Sequence, residues 1–178
     1  MRTVKYALPT FLALASFALA HATAAMSRDQ ALAVFKNATG LFAKVCTAGE
    51  NDKPPPLPDS LEGDTGNALT VADGILSKRD DPELLNALLG YIGASDCSAD
   101  ESRAFTLGSI FHHRPDALQA AIAALPEKSR CELVGQLDWG WQNEIYGETP
   151  DPKVKADREA RLKKLKSTLP KSCSANEG

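Results

Sequence analysis

The residues with the most definite chemistry are four cysteines, Cys46, Cys97, Cys131 and Cys173. Thiols can cross-link, ligate zinc or attack a substrate. No two of them stand at the C-x-x-C spacing that zinc sites favour. The segment ahead of them reads as a secretory signal. Arg2 and Lys5 give a positive start, 7–20 is mostly apolar, and Ala22-Thr23-Ala24 fits the A-x-A cleavage pattern. An even set of cysteines in an exported chain implies two disulfides, because oxidising compartments preserve them. Cysteines engaged in this way are not nucleophiles.

The remaining reactive side chains do not converge. His112 and His113 are adjacent, so on a helix they point apart, and the two-histidine spacing of metalloprotease helices is missing. No serine sits in a G-x-S-x-G turn, and no glycine-rich phosphate loop is present. Asp80-Asp81 and Asp100-Glu101 fall at expected helix starts, where the helix dipole accounts for them. The sequence therefore implies no catalytic residue, no metal and no cofactor.

Residues suited to contact are easier to name. The stretch 51–67 is an expected exposed loop, stiffened by Pro54-Pro55-Pro56 and Pro58 and carrying Asp52, Asp59, Glu62 and Asp64. Long loops in compact domains are uncommon and often functional. A second candidate is the segment Leu137-Asp138-Trp139-Gly140-Trp141. Val134, Leu137, Trp141 and Ile145 share one helical face, and Trp139 falls on the other. Either that helix is covered on both faces, as expected for an inner helix of a stack, or Trp139 and Tyr146 are exposed anchors for a partner.

The elements that must position these residues are helices. Alanine and leucine dominate the apolar residues and aromatics are 6% of the chain, which favours helix over sheet. Ser27 or Asp29 caps a first helix reaching about Cys46, with Ala31, Val34, Phe35, Ala38, Leu41, Phe42 and Val45 at steps of three and four. A second helix is expected over 68–78. Asp81-Pro82 opens a third whose buried side is Leu84, Leu85, Leu88, Leu89 and Ile92. A fourth begins near Asp100-Glu101, has Phe105, Leu107, Ile110 and Phe111 as core, and ends at His112-His113-Arg114. Pro115 opens a fifth, Pro126 a sixth through Tyr146, and Pro152 a last one to about Thr168.

Residues 82–92 resemble 115–125 at a shift of 33, each followed by a loop, a cysteine and another helix. Helix-pair repeats near this period stack into solenoids. The fold expected is all-α, with six to seven helices in an irregular bundle or a short helical-hairpin stack. One domain covers 25–172, between a signal peptide at 1–24 and a tail at 173–178. The repeat also bears on cysteine pairing. Cys97 and Cys131 would occupy similar positions on neighbouring repeats, about 8–10 Å apart, beyond the roughly 7 Å that a disulfide tolerates. The expected pairs are Cys46–Cys97 and Cys131–Cys173.

Charge narrows the partner. Residues 25–150 hold 10 Lys/Arg against 19 Asp/Glu, whereas 151–178 hold 8 against 4. An acidic body argues against nucleic acid and anionic lipid. Beyond the signal, no apolar run approaches the roughly 20 residues that cross a bilayer. The basic last helix, with its narrow apolar stripe, is expected to dock on the acidic body rather than on a membrane. The resulting expectation is an exported, periplasmic or secreted, non-catalytic protein that binds another, basic protein. Its sharpest form is an inhibitor or immunity-type protein against a cell-wall-degrading enzyme. The alternatives are an envelope scaffold or assembly factor with a helical-repeat surface, and an unrecognised hydrolase.

Overall fold

The computed structural model describes residues 25–49, 53–98, 101–143, 150–170 and 173. Among them are seven α-helices and no strand: α1 (Arg28–Cys46), α2 (Leu61–Leu76), α3 (Pro82–Ala94), α4 (Ser102–His113), α5 (Pro115–Ala123), α6 (Glu127–Gln142) and α7 (Pro152–Ser167). Residues 1–24, where a signal peptide is expected, and Asp52, Tyr146 and the tail beyond Cys173 lie outside the described residues.

Local signals set most helix starts. Ser27 and Gln30 form a capping box on α1, with the Ser27 amide donating to Gln30 Oε1 at 2.7 Å and the Gln30 amide donating to Ser27 Oγ at 3.2 Å. Asp81 caps α3 by accepting from the Leu84 amide at 3.1 Å, and Pro82 occupies the first position. Asp151 accepts from the Lys153 amide at 2.8 Å at the start of α7.

Two boundaries depart from the sequence expectation: α6 ends at Gln142, short of its expected end, and α2 starts early. The second helix begins at Leu61 rather than 68, so the proline-rich stretch ends at Ser60 and both Glu62 and Asp64 are helical. Gly63 and Gly66 lower helix propensity and suggest a loop. Burial overrides them: Leu61, Thr65, Ala68, Leu69, Ala72 and Leu76 are all buried along one stripe. The Thr65 hydroxyl donates back to the Leu61 carbonyl at 2.8 Å, and two carboxylates in the first turn suit the positive helix end.

Packing follows the repeat. α1 packs on α3 and α3 on α5, while α2 packs on α4 and α4 on α6. Odd and even helices thus form two layers, the pattern of stacked helical hairpins. Between them lies one core, in which Phe35 stacks on Tyr91 at 5.4 Å and Phe111 meets Trp141 edge-on at 5.7 Å. Burying each such large side chain stabilises the fold by about 1.5–3 kcal/mol.

Two disulfides close the structure, Cys46–Cys97 with Cα atoms 5.5 Å apart and Cys131–Cys173 at 5.3 Å. The first ties the end of α1 to the turn between α3 and α4. The second ties the start of α6 to the chain after α7. Their presence suits an oxidising, extracytoplasmic compartment. No helix among the described residues is long and apolar enough to cross a membrane.

The basic helix α7 docks on the acidic body. Leu162 and Leu165 are buried. Arg158 donates twice to the His112 carbonyl at the end of α4, at 3.1 and 2.8 Å, so a cation closes the negative helix terminus. Arg161 pairs with Asp116 and Asp157, and Lys166 with Asp138 at 2.7 Å.

Candidate functional site

The proline-rich stretch, the end of α1, the start of α2 and the start of α4 enclose a groove of about 960 Å³. Its position follows from the first disulfide, which holds the α3–α4 turn against the end of α1. The same turn is fixed from inside by Arg103, 2% exposed, whose guanidinium donates to the Ser95 carbonyl, the Ser95 hydroxyl and the Ser98 carbonyl. A buried guanidinium is costly unless hydrogen-bonded, so this charge ties the turn to α4. Cys97 and Ser98 consequently form one edge of the groove.

The floor is apolar, with Phe42 and Val45 from α1, Leu57 and Leu61 from the stretch entering α2, and Tyr91 from α3. The rim is acidic, with Asp59, Glu62 and Glu101, and none of the described residues lining the groove is lysine, arginine or histidine. Several carboxylates elsewhere are held in ion pairs. Arg28 pairs with Asp81 at 2.8 Å and Glu83 at 2.9 Å, Lys36 with Glu83 at 3.0 Å and Arg114 with Asp80. Among the described residues, Asp59, Glu62 and Glu101 have no basic partner. All three are exposed.

Of the acidic residues expected to make contacts, Asp59 and Glu62 meet at this groove. Asp64 does not. It faces a separate hollow of about 650 Å³ between α2 and the start of α1, lined also by Met26, Gln30 and Val34. Glu101 joins Asp59 and Glu62 at the groove, although its place at a helix start is by itself a sufficient local reason for a carboxylate there.

The aromatic candidate lies one turn away. Phe105 follows Glu101 by four residues and its amide donates to the Glu101 carbonyl at 3.2 Å, so the two share a face of α4. Trp139 stacks on Phe105 with ring centroids 5.4 Å apart. Trp139 is 40% exposed, so the expectation of a helix covered on both faces does not hold for it. The reason is topological: α6 ends its layer, and α7 covers the side carrying Asp138, Trp141 and Gln142 instead. Phe105 is only half-buried rather than core.

No catalytic grouping is assembled from the other reactive residues described. The His112 and His113 rings meet edge-on at 4.6 Å, and His112 stacks over Trp141 at 6.3 Å. Cys46, Asp96 and Cys97 bring potential ligand atoms together, but the two sulfurs are bonded to each other and offer no thiolate. A different pair is electrostatically unusual. Burial, together with a hydrogen bond and charge from Asp96, pushes Glu132 up to about 8, against the weaker pull of Lys128 and Arg103. Asp96 and Glu132 adjoin Cys97 and Cys131, so this pair lies between the two cross-links. Perturbed carboxyls occur in catalytic sites and in structural networks alike. Neither residue lines one of the grooves described above. Comparison with protein-family models, curated proteins and solved structures finds no match to this chain.

Proposed function

We propose that this protein is an exported, non-catalytic binding domain that neutralises a basic cell-wall-degrading enzyme, acting in the periplasm or after secretion. The observation that carries the reading is the groove with an apolar floor and a rim of Asp59, Glu62 and Glu101, three exposed carboxylates without a basic partner among the described residues, gathered at one opening. Unpaired surface charge of one sign beside accessible apolar surface steers a partner of opposite sign and then holds it. Enzymes that act on anionic wall polymers are commonly basic, and complementary charge speeds their capture. The exposed Trp139, stacked on Phe105 one turn from the rim, adds an aromatic anchor of the kind that dominates protein interfaces. Two disulfides keep such a surface rigid, which lowers the entropy lost on binding.

The test is inhibition. The oxidised chain is mixed with wall-degrading enzymes purified from the same cell envelope, and clearance of wall suspensions is followed. The expected result is stoichiometric loss of one enzyme's activity and a stable complex on gel filtration. Full enzyme activity together with a stable homo-oligomer of this chain would overturn the reading in favour of an envelope scaffold.

A further inference from the structure

We propose that the groove between the ends of α1, α2 and α4 receives an extended segment of a partner protein in which lysine or arginine alternates with apolar side chains. This inference rests on the protein-binding reading and specifies the recognition element. An extended chain sends successive side chains to opposite faces. Apolar residues on one face meet the floor of Val45, Leu57 and Leu61, and basic residues on the other reach outward to the rim. The long aliphatic stems of lysine and arginine cover the groove wall while their charged ends stay near water.

Charge commits the groove to this occupant. Asp59, Glu62 and Glu101 stand on three separate segments, the proline-rich stretch, α2 and the residue before α4, so the rim carries negative charge from each of them. An acidic or neutral polar segment would meet uncompensated repulsion or leave the floor wet. Size fits as well: about 960 Å³ accommodates several side chains of a bound segment. Pro54, Pro55 and Pro56 pre-stiffen the adjoining chain, so little order is lost when that wall is covered.

The probe is a short synthetic peptide alternating leucine with arginine, compared with one alternating leucine with glutamate and one alternating serine with arginine. Binding to the full oxidised chain is followed by fluorescence anisotropy. Only the leucine–arginine peptide is expected to bind. Its affinity should fall at least about tenfold in the Glu62→Lys/Glu101→Lys variant and in Leu57→Asp, but stay unchanged in Glu159→Lys, a charge reversal on α7. Equal binding of the serine–arginine peptide, or undiminished affinity in the groove variants, overturns the proposal. So does self-association of the chain that Glu62→Lys/Glu101→Lys abolishes, since the occupant is then a second copy. An enzyme neutralised equally well by the groove variants refutes this inference while leaving the proposed function standing. Peptide binding without any neutralised enzyme does the reverse.

Discussion

Gly140 of α6 lies directly against the backbone of Ala104 in α4, so close that a Cβ at position 140 would overlap the Ala104 carbonyl. The next residue on each helix completes the relationship. Phe105 follows Ala104, Trp139 precedes Gly140, and their rings stack at 5.4 Å. This close backbone approach of α6 to α4 thus presents the exposed aromatic pair.

Gly140→Ala should therefore disturb both stability and surface. The atom it would strike belongs to backbone, which cannot rotate away as a flexible side chain would. Separating α4 from α6 should cost about 1–3 kcal/mol, the usual range for overpacking. Denaturant unfolding reads the loss, and near-ultraviolet circular dichroism reads the altered Trp139 environment. Gly135→Ala, where an added Cβ meets nothing within 4 Å, serves as the control and should not destabilise.

Acid should release the start of α1 from the start of α3. Arg28 grips Asp81 with two hydrogen bonds, Nε to Oδ2 at 2.9 Å and Nη2 to Oδ1 at 2.8 Å. This hydrogen bonding holds the Asp81 carboxyl down at about 2, from an ordinary 3.8. A depressed carboxyl contributes stability above its unfolded value and loses it as the pH falls through its folded value. The contribution is therefore full above about pH 4 and fades toward pH 2. Asp81→Asn keeps a capping oxygen but not the charge and should flatten this acid limb. Asp81→Ala removes the cap too and should lose a further 0.5–2 kcal/mol or so at neutral pH. Thermal unfolding across pH 2–6 separates the two contributions.

What could be read from sequence divides along the reach of each signal. Ser27, Asp81-Pro82, Pro115 and Pro152 act within a turn of chain, and the helices they start lie where those residues put them. Disulfide pairing was also legible, because the internal repeat placed Cys97 and Cys131 on equivalent, separated positions. The start of α2 was not, since the propensity cost of Gly63 and Gly66 is local while the burial of Leu61 and Thr65 that outweighs it is tertiary. The groove shows the same limit. Asp59 and Glu62 could be named as exposed acids, but Glu101 and Phe105 had sufficient local explanations as helix start and core. Glu101 meets the proline-rich stretch because the first disulfide holds the α3–α4 turn against α1, and Phe105 meets Trp139 because of how α4 crosses α6. That crossing turns on Gly140, whose lack of a side chain carries no periodic signal.

Removing the second cross-link should loosen α7 before the rest. Cys131–Cys173 closes a loop of 42 residues, worth about 4 kcal/mol in the loop-entropy account. In Cys131→Ser/Cys173→Ser, α7 still has buried Leu162 and Leu165 and the Arg158 bonds to His112. The helix should remain docked but exchange its amide hydrogens faster than α1 or α3. Adding Arg158→Ala should release it altogether. Hydrogen exchange resolved by segment checks the order, and uniform acceleration across all helices would contradict it.

Raising the pH from about 4.5 to 8 should weaken the fold, and the same ionisation should sharpen the groove. Partial burial and the neighbouring Asp96 raise Glu132 from 4.5 to about 8, with Lys128 and Arg103 as the facing cations. A raised carboxyl favours the folded state fully below its unfolded value, and that contribution drains away as the pH rises through its folded value. Stability should thus decline between about pH 4.5 and 8 and level off above. Glu132→Gln keeps a donor for Asp96 without acquiring charge, so it should remove this slope and be the more stable form at pH 9. The same ionisation places a second negative charge beside Asp96, whose neighbour Cys97 edges the groove. Arginine stays cationic throughout this range. Binding of the leucine–arginine peptide should consequently tighten between pH 7 and 9 in the native chain and stay level in Glu132→Gln. Parallel pH profiles of unfolding and of peptide affinity test both consequences. A native affinity that is flat across this range would show that the Asp96–Glu132 pair acts on the fold alone.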